Sequence, residues 1–241
     1  MVDLVTAHAA GDDELTEVRS ALRSATAGLL GATIQVDDDS WGGPSRLPGW
    51  SRAELAAHLA RHADASRKVV EAAGRGELIP KYAPGEREAG IRAGADRTGL
   101  AIQEDLDAAC GRLEDALDEV EDWTVPVLVD GGTAPVSTVP LSRLAEVVVH
   151  TVDLDIGVEF DGTDPEVAGR ALDWAVGRIG ARPDAPSIRL VATSGREWLL
   201  GPVESDATRV GGSPQRLLGW LAGRLGPEAV DGAAGIVLPP W

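Results

Sequence analysis

Apolar residues recur every three to four positions through the first two-thirds of the chain, the spacing of one face of an α-helix. This pattern predicts four amphipathic helices, over residues 11–31, 52–73, 97–120 and 141–156. Ser51 precedes the second helix and Glu54 follows three positions later, the pattern of a capping box. In the third helix four leucines are expected to face inward: Leu100, Leu106, Leu113 and Leu117.

Two segments interrupt the helical pattern. Residues 76–88 (GELIPKYAPGERE) are rich in glycine and proline and are predicted to form a loop. Residues 123–140 combine extended residues with turn residues, which predicts an irregular crossover before Pro140 opens the fourth helix. Four helices with one long crossover predict a mainly α fold, a four-helix bundle over residues 1–158.

The C-terminal third of the chain has a different pattern. Residues 164–181 read as a helix, and three short runs, 187–193, 196–201 and 207–212, read as strands separated by turn residues. A second helix is predicted over residues 213–226, with Ser213 as N-cap and Pro214 at its first position. We therefore expect a small α+β domain over residues 159–241.

Composition and charge narrow the class of protein. The 241 residues are 44% apolar, enough for a normal core, but no apolar run approaches the roughly 20 residues that cross a bilayer. A net charge of −17 disfavours nucleic-acid binding. The acidic N-terminus lacks the order of a secretory signal, so we expect a cytoplasmic protein, either a monomer or a homodimer.

Histidine and glutamate spacing marks a candidate metal site. Glu146 and His150 are four residues apart in an apolar run and lie on one face of a helix. His58 and His62 are spaced in the same way on the second helix, and His58 lies nearer its buried stripe. If these helices are neighbours, His58, Glu146 and His150 converge into a set typical of a catalytic divalent metal.

Simpler interpretations of the same residues stay open from spacing alone. A histidine on an apolar face is often a hydrogen-bonded core residue, and an i, i+4 pair is often a surface pair. Asp153 could orient the ring of His150, cap the helix end or lie in solvent. The single cysteine, Cys110, lies between Ala109 and Gly111 in a helix, where we expect no basic group near its thiol, and it is expected to be inert.

Two motifs carry a resemblance to a known family. LPGWSRAELAAHLA and, far downstream, SRLAEVVVHTVDLDIG resemble the mycothiol-dependent maleylpyruvate isomerases of the DinB-like superfamily. The resemblance covers nearly the whole chain, including a metal-binding bundle followed by a small C-terminal domain. The matching positions are Gly49, Trp50, Ser51, Leu55 and His58, then Glu146, His150, Asp153 and Leu154.

The resemblance implies an activity and a set of site residues. His58, Glu146 and His150 would bind a divalent metal, with zinc expected, and Arg224 would act in catalysis from the second domain. Tyr82 and Arg87 match the family less directly as catalytic residues. The implied reaction converts maleylpyruvate, a dicarboxylate-like substrate, to fumarylpyruvate by addition of a thiolate, rotation and elimination. The thiol would be mycothiol or ergothioneine, supplied as a small molecule.

Two other functions fit the same motifs. A metal-dependent S-transferase would join a low-molecular-weight thiol to an electrophile and release a stable thioether. A non-catalytic thiol-sensing or binding protein would keep the metal as a structural element.

Overall fold

The computed structural model describes residues 12–129, 132–202 and 207–241. The described residues up to Val158 form one compact unit, and those from Glu159 onward form another. The prediction of a mainly α fold, with a helical bundle followed by a small α+β unit, is confirmed. No described helix has an apolar stretch of the length needed to cross a membrane.

Four long helices build the first unit: α1 (Asp12–Thr33), α2 (Arg52–Gly74), α4 (Gly99–Asp118) and α5 (Thr138–Asp153). A shorter helix, α3 (Glu86–Ala95), lies between α2 and α4 in sequence. Helix α2 packs against α3, α4 and α5, while α1 packs against α4 and α5. The core between them is mostly leucine and alanine, with Leu55, Leu59, Leu106 and Leu144 fully buried.

The start of α2 follows the sequence closely. The Ser51 side chain accepts a hydrogen bond from the Glu54 amide at 3.1 Å, and the Glu54 carboxylate accepts one from the Ser51 amide at 2.8 Å. This reciprocal pair satisfies two of the amide groups that a helix start leaves without partners. The capping box therefore fixes where α2 begins, and with it the position of His58 two turns later.

Helix α3 begins in the last three residues of the predicted loop and continues through residues 89–95, which the sequence analysis assigned to no element. Gly85 precedes it with a φ of 76°, a left-handed conformation that glycine adopts without strain. A Cβ at Gly94 would lie 2.8 Å from the Cβ of Ala57, so this glycine lets α3 approach α2 closely. Gly85 therefore starts the helix, and Gly94 allows it to pack closely.

Three further details of the helices differ from the prediction. Helix α4 begins at Gly99, and Leu100 in its first turn is 65% exposed, so its inward placement is wrong; Ile102 is buried instead. Helix α5 begins at Thr138 and ends at Asp153, three residues earlier at each end than predicted. The predicted crossover contains two paired strands, β1 (Pro126–Val129) and β2 (Gly132–Pro135), which are antiparallel.

The second unit contains a three-stranded sheet and two helices. Its strands are β3 (Ile188–Ala192), β4 (Glu197–Leu200) and β5 (Thr208–Gly212), in the order β4-β3-β5. The central strand β3 pairs antiparallel with β4 and parallel with β5. The helices are α6 (Pro165–Gly180) and α7 (Pro214–Leu221).

Helix α7 begins as the sequence predicts, because the Ser213 hydroxyl accepts from the Arg216 amide and Pro214 takes the first position. It ends earlier than predicted. Ala222 caps the helix and Gly223 has a φ of 70°, which turns the chain out of the helix. Arg224 therefore lies in the turn after α7.

Candidate metal centre

The structure brings His58 from α2 together with Glu146 and His150 from α5. The Oε2 atom of Glu146 lies 3.2 Å from Nε2 of His58 and 3.4 Å from Nε2 of His150. The three donor atoms lie within 4.8 Å of one another, as one metal ion requires. Two imidazole nitrogens and one carboxylate suit zinc or another first-row divalent metal and leave coordination positions for other ligands.

Asp153 holds the ring of His150 from the opposite side. Its Oδ2 atom lies 2.9 Å from Nδ1 of His150, and its side chain is fully buried. The interpretation that Asp153 lies in solvent is therefore wrong. A carboxylate at Nδ1 favours the tautomer with its proton on that nitrogen, which leaves Nε2 available for a metal.

The ring of His58 has a basic residue at its other nitrogen. Nη2 of Arg87 lies 3.4 Å from Nδ1 of His58, and the same guanidinium lies over the ring of Trp50 at 5.8 Å from its centroid. The Trp50 and His58 rings meet edge to face, with centroids 6.0 Å apart. Trp50 and Arg87 therefore enclose the side of His58 that faces away from Glu146.

His62 lies one turn beyond His58 but belongs to a different set of contacts. Its Nδ1 atom is 3.3 Å from Nη1 of Arg143, and its Nε2 atom is 2.6 Å from Nζ of Lys81. Both ring nitrogens therefore face basic side chains, which explains why His62 is not part of the candidate metal set.

The charges of the centre follow from its burial and its neighbours. Burial alone would raise the pKa of Glu146, but His62 and the hydrogen-bonded rings of His150 and His58 hold it well below its usual value. Burial lowers the pKa of His58, against the effect of Glu146. Glu146 is therefore ionised and His58 neutral at neutral pH, the states in which both bind a metal.

His150 has the opposite balance. Burial by itself would lower the pKa of His150, but hydrogen bonds to Asp153 and Glu146 outweigh it and raise that pKa. A proton on His150 would compete with a metal for Nε2, so acid should weaken metal binding here first.

The charges of this region also affect the pKa of Tyr82. Its hydroxyl is buried and has no hydrogen-bond partner among the described residues. Burial raises the pKa of Tyr82 to about 12, with Arg87 opposing the shift and Glu146 adding to it. Tyr82 is therefore a neutral phenol at neutral pH, able to donate a hydrogen bond.

Arg224 belongs to the second unit. Its Nη1 atom donates to the carbonyl oxygen of Ala222 at 2.5 Å, within the turn that follows α7. His8, to which the sequence analysis gave no role, lies outside the described residues.

Arg143 is the residue of this region that the sequence analysis missed. It is 1% exposed, donates to the carbonyl of Leu59 at 2.8 Å, and places Nη2 3.4 Å from Sγ of Cys110. The expectation that Cys110 has no basic neighbour is therefore wrong, because the neighbour comes from another helix. An arginine three residues before Glu146 in an otherwise apolar run was the available signal.

Comparison with known proteins agrees with this geometry. Residues 22–155 match the family model described as the mycothiol maleylpyruvate isomerase N-terminal domain, which is more than half of the chain. The chain belongs to this enzyme family. No curated protein matches its sequence significantly.

Two solved structures resemble most of this chain. One is a crystal structure of the mycothiol-dependent maleylpyruvate isomerase, at 29% identity with a TM-score of 0.78. The other is a mutant of that enzyme with a histidine replaced by alanine, at 28% identity with a TM-score of 0.80. Each match covers 94% of this chain and 97% of the other.

We expect His58→Gln to lower zinc affinity by more than about 100-fold, because it removes one of three protein donors. His62→Gln is the matched control, one turn further along the same helix. Titration of each metal-free variant with zinc, with circular dichroism as the test of folding, measures the difference. Equal losses in both variants would contradict the assignment of His58.

We expect Asp153→Asn to weaken zinc binding by about 10–100-fold, since the amide keeps the shape of the carboxylate but loses its charge. The affinity of the same titration is the measurement. An unchanged affinity for zinc would show that Asp153 caps the helix end and does not orient the ring of His150.

Tyr82 is the only tyrosine in the chain, so its ionisation can be followed directly. We expect the ultraviolet absorbance of tyrosinate to appear with a midpoint near pH 12 in the folded protein. Tyr82→Phe should abolish the signal. A midpoint near 10, the value of an exposed tyrosine, would show that Tyr82 is not buried as described.

Proposed function

We propose that this chain catalyses the thiol-dependent isomerisation of maleylpyruvate to fumarylpyruvate, with mycothiol as the thiol and a divalent metal at His58, Glu146 and His150. The observation that supports it best is the close cluster of three side chains that could hold a metal, two of them buried, in a chain of this family. Zinc is the proposed metal, because two imidazoles and one carboxylate with open positions form a usual catalytic zinc set. Ergothioneine is the alternative thiol.

The external cofactors supply chemistry that the protein side chains lack. A bound divalent metal supplies positive charge that stabilises a thiolate near neutral pH. A thiolate can add to a conjugated double bond, allow rotation about the resulting single bond, and leave again. Cys110 is buried at 8% exposure within α4, so we assign the nucleophile to an added thiol and not to the protein.

The residues of the first unit prepare this chemistry. Ionised Glu146 and neutral His58 provide donors at neutral pH, and Asp153 keeps the Nδ1 proton of His150 in place. If His58 binds a metal through Nε2, its ring proton lies on Nδ1. The Nδ1 atom then cannot accept a hydrogen bond from Arg87. The Arg87 guanidinium is then available to bind an anionic group, such as a substrate carboxylate.

Two further residues are proposed to contact the substrate. Tyr82, a neutral phenol, would donate a hydrogen bond to a substrate oxygen. Arg224 would bind a carboxylate through two parallel hydrogen bonds, as its family match implies. A cytoplasmic location and a monomeric or homodimeric state stay predictions from the sequence.

The test is an isomerase assay on zinc-loaded protein with maleylpyruvate and a panel of mycothiol, ergothioneine and glutathione. We expect conversion to fumarylpyruvate with mycothiol present in catalytic amounts and recovered unchanged. Consumption of one thiol per product would indicate an S-transferase. Metal binding without conversion by any thiol would indicate a binding protein.

Arg224→Ala in the same assay should lower kcat/KM by at least about 100-fold, the loss expected for a charged contact to substrate, and keep zinc. Arg216→Ala is the control, because Arg216 is an exposed arginine of the same unit that pairs with Asp161 at 2.9 Å. Equal activity of the two variants would remove Arg224 from the proposed mechanism.

A further inference from the structure

Arg52 joins the start of α2 to the chain just after the end of α5. It is the first residue of α2, and its side chain is 17% exposed. Its Nε atom donates to the carbonyl oxygen of Leu154 at 3.0 Å, and its Nη2 atom donates to that of Asp155, also at 3.0 Å. The same Nη2 atom lies 3.5 Å from the Asp155 carboxylate. One guanidinium therefore makes three contacts with the two residues that follow α5.

The position of Arg52 within its own helix does not explain these contacts. The N-terminal end of a helix carries partial positive charge, which disfavours a cation there, whereas the C-terminal end favours one. Arg52 lies in the first turn of α2, but its side chain is directed to the carbonyl end of α5. The charge of Arg52 therefore stabilises the end of the neighbouring helix rather than the start of its own.

The segment that leads into α2 adds to this contact. The Arg46 amide donates at 2.8 Å to the carbonyl oxygen of Asp153, the last residue of α5. The Nε atom of Arg46 also lies 3.2 Å from the Asp155 carboxylate. On its other side, Nη1 of Arg52 donates to the carbonyl oxygen of Ser40 at 3.3 Å. Three successive carbonyl groups at the end of α5 are therefore bound from α2 and the segment before it.

These contacts connect the two helices that carry the candidate metal centre. Helix α2 carries His58, whereas Glu146 and His150 lie on α5. Asp153, which holds the ring of His150, is also the residue whose carbonyl accepts from Arg46. The distance between the donor of α2 and the two donors of α5 depends on how these helices are held together.

We propose that Arg52 is a positioning residue of the metal centre. Its hydrogen bonds to the carbonyl groups after α5 keep His58 in place against the two metal-binding side chains of that helix. The inference rests on the metal set of the proposed function, and it adds a residue that does not itself touch the metal.

Gly43 offers a second way to disturb the same contact. A Cβ at this position would overlap Nη1 of Arg52 and would lie 3.1 Å from the carbonyl oxygen of Ser40. Gly43→Ala should therefore displace the guanidinium while Arg52 stays in the chain.

The test compares zinc affinity and the visible absorption of the cobalt(II)-loaded protein in the unaltered chain, Arg52→Met and Gly43→Ala. The cobalt spectrum reports the geometry of coordination, which a loss of stability alone would not change. We expect both variants to bind zinc about tenfold more weakly, the lower end of the loss for groups that support metal ligands, and to shift the cobalt bands.

Arg61→Met is the matched control, because Arg61 also joins two helices of the bundle. It lies on α2 and binds Asp105 of α4 at 2.8 Å, and its side chain is 21% exposed. We expect this variant to lower the thermal unfolding midpoint of the metal-free protein and to keep the zinc affinity and the cobalt spectrum.

Two results would overturn the proposal, and they separate it from the proposed function. Affinities and spectra of Arg52→Met and Gly43→Ala that equal those of Arg61→Met would remove the positioning role and leave the metal centre standing. An unaltered protein that binds neither zinc nor cobalt(II) would overturn both. If Arg52→Met does not fold, as judged by circular dichroism, Gly43→Ala decides the outcome.

Discussion

The first unit is organised around one largely buried carboxylate, Glu146, whose side chain is 17% exposed and lies between two imidazoles. A carboxylate removed from water is costly unless it is paired and hydrogen-bonded. His58 and His150 supply those contacts at 3.2 and 3.4 Å, and they come from two different helices. The contact between Glu146 and His58 therefore restrains the register of α2 against α5, because a shift of either helix would separate these two side chains and leave Glu146 only His150, on its own helix.

This constraint also links the stability of the bundle to its chemistry. Glu146 is hydrogen-bonded to the two histidine rings, and the same three donor atoms lie within 4.8 Å of one another, as a single cation would require. The capping box at Ser51 and the end of α5 at Asp153 fix the two helices close to these side chains. The centre is therefore preorganised by ordinary helix-forming interactions and does not depend on strained backbone.

The sequence was informative where the signal is local. Helical periodicity and the cap at Ser51 predicted α2, and the i, i+4 spacing of Glu146 and His150 placed both on one face.

The sequence was not informative where the residue that explains a contact lies in another element. Gly94 permits α3 to approach Ala57, and Arg143 reaches Cys110 from a different helix, so neither contact has a signal in the neighbouring residues. Leu100 is six residues before Leu106, so at about 100° per residue it lies roughly 120° away from the face of Leu106, Leu113 and Leu117. It is exposed there, whereas Ile102 on that face is buried.

The charge near the candidate centre differs from that of the chain as a whole. The chain carries −17, yet His58 faces Arg87, and His62 faces both Arg143 and Lys81. Exposed charges farther away than about 8 Å are largely screened at physiological ionic strength, whereas partly buried ones act at nearly full strength. These basic groups therefore attract an anionic substrate or a thiolate once it reaches the site. The acidic surface weakens its approach from a distance, and it leaves the local attraction in place.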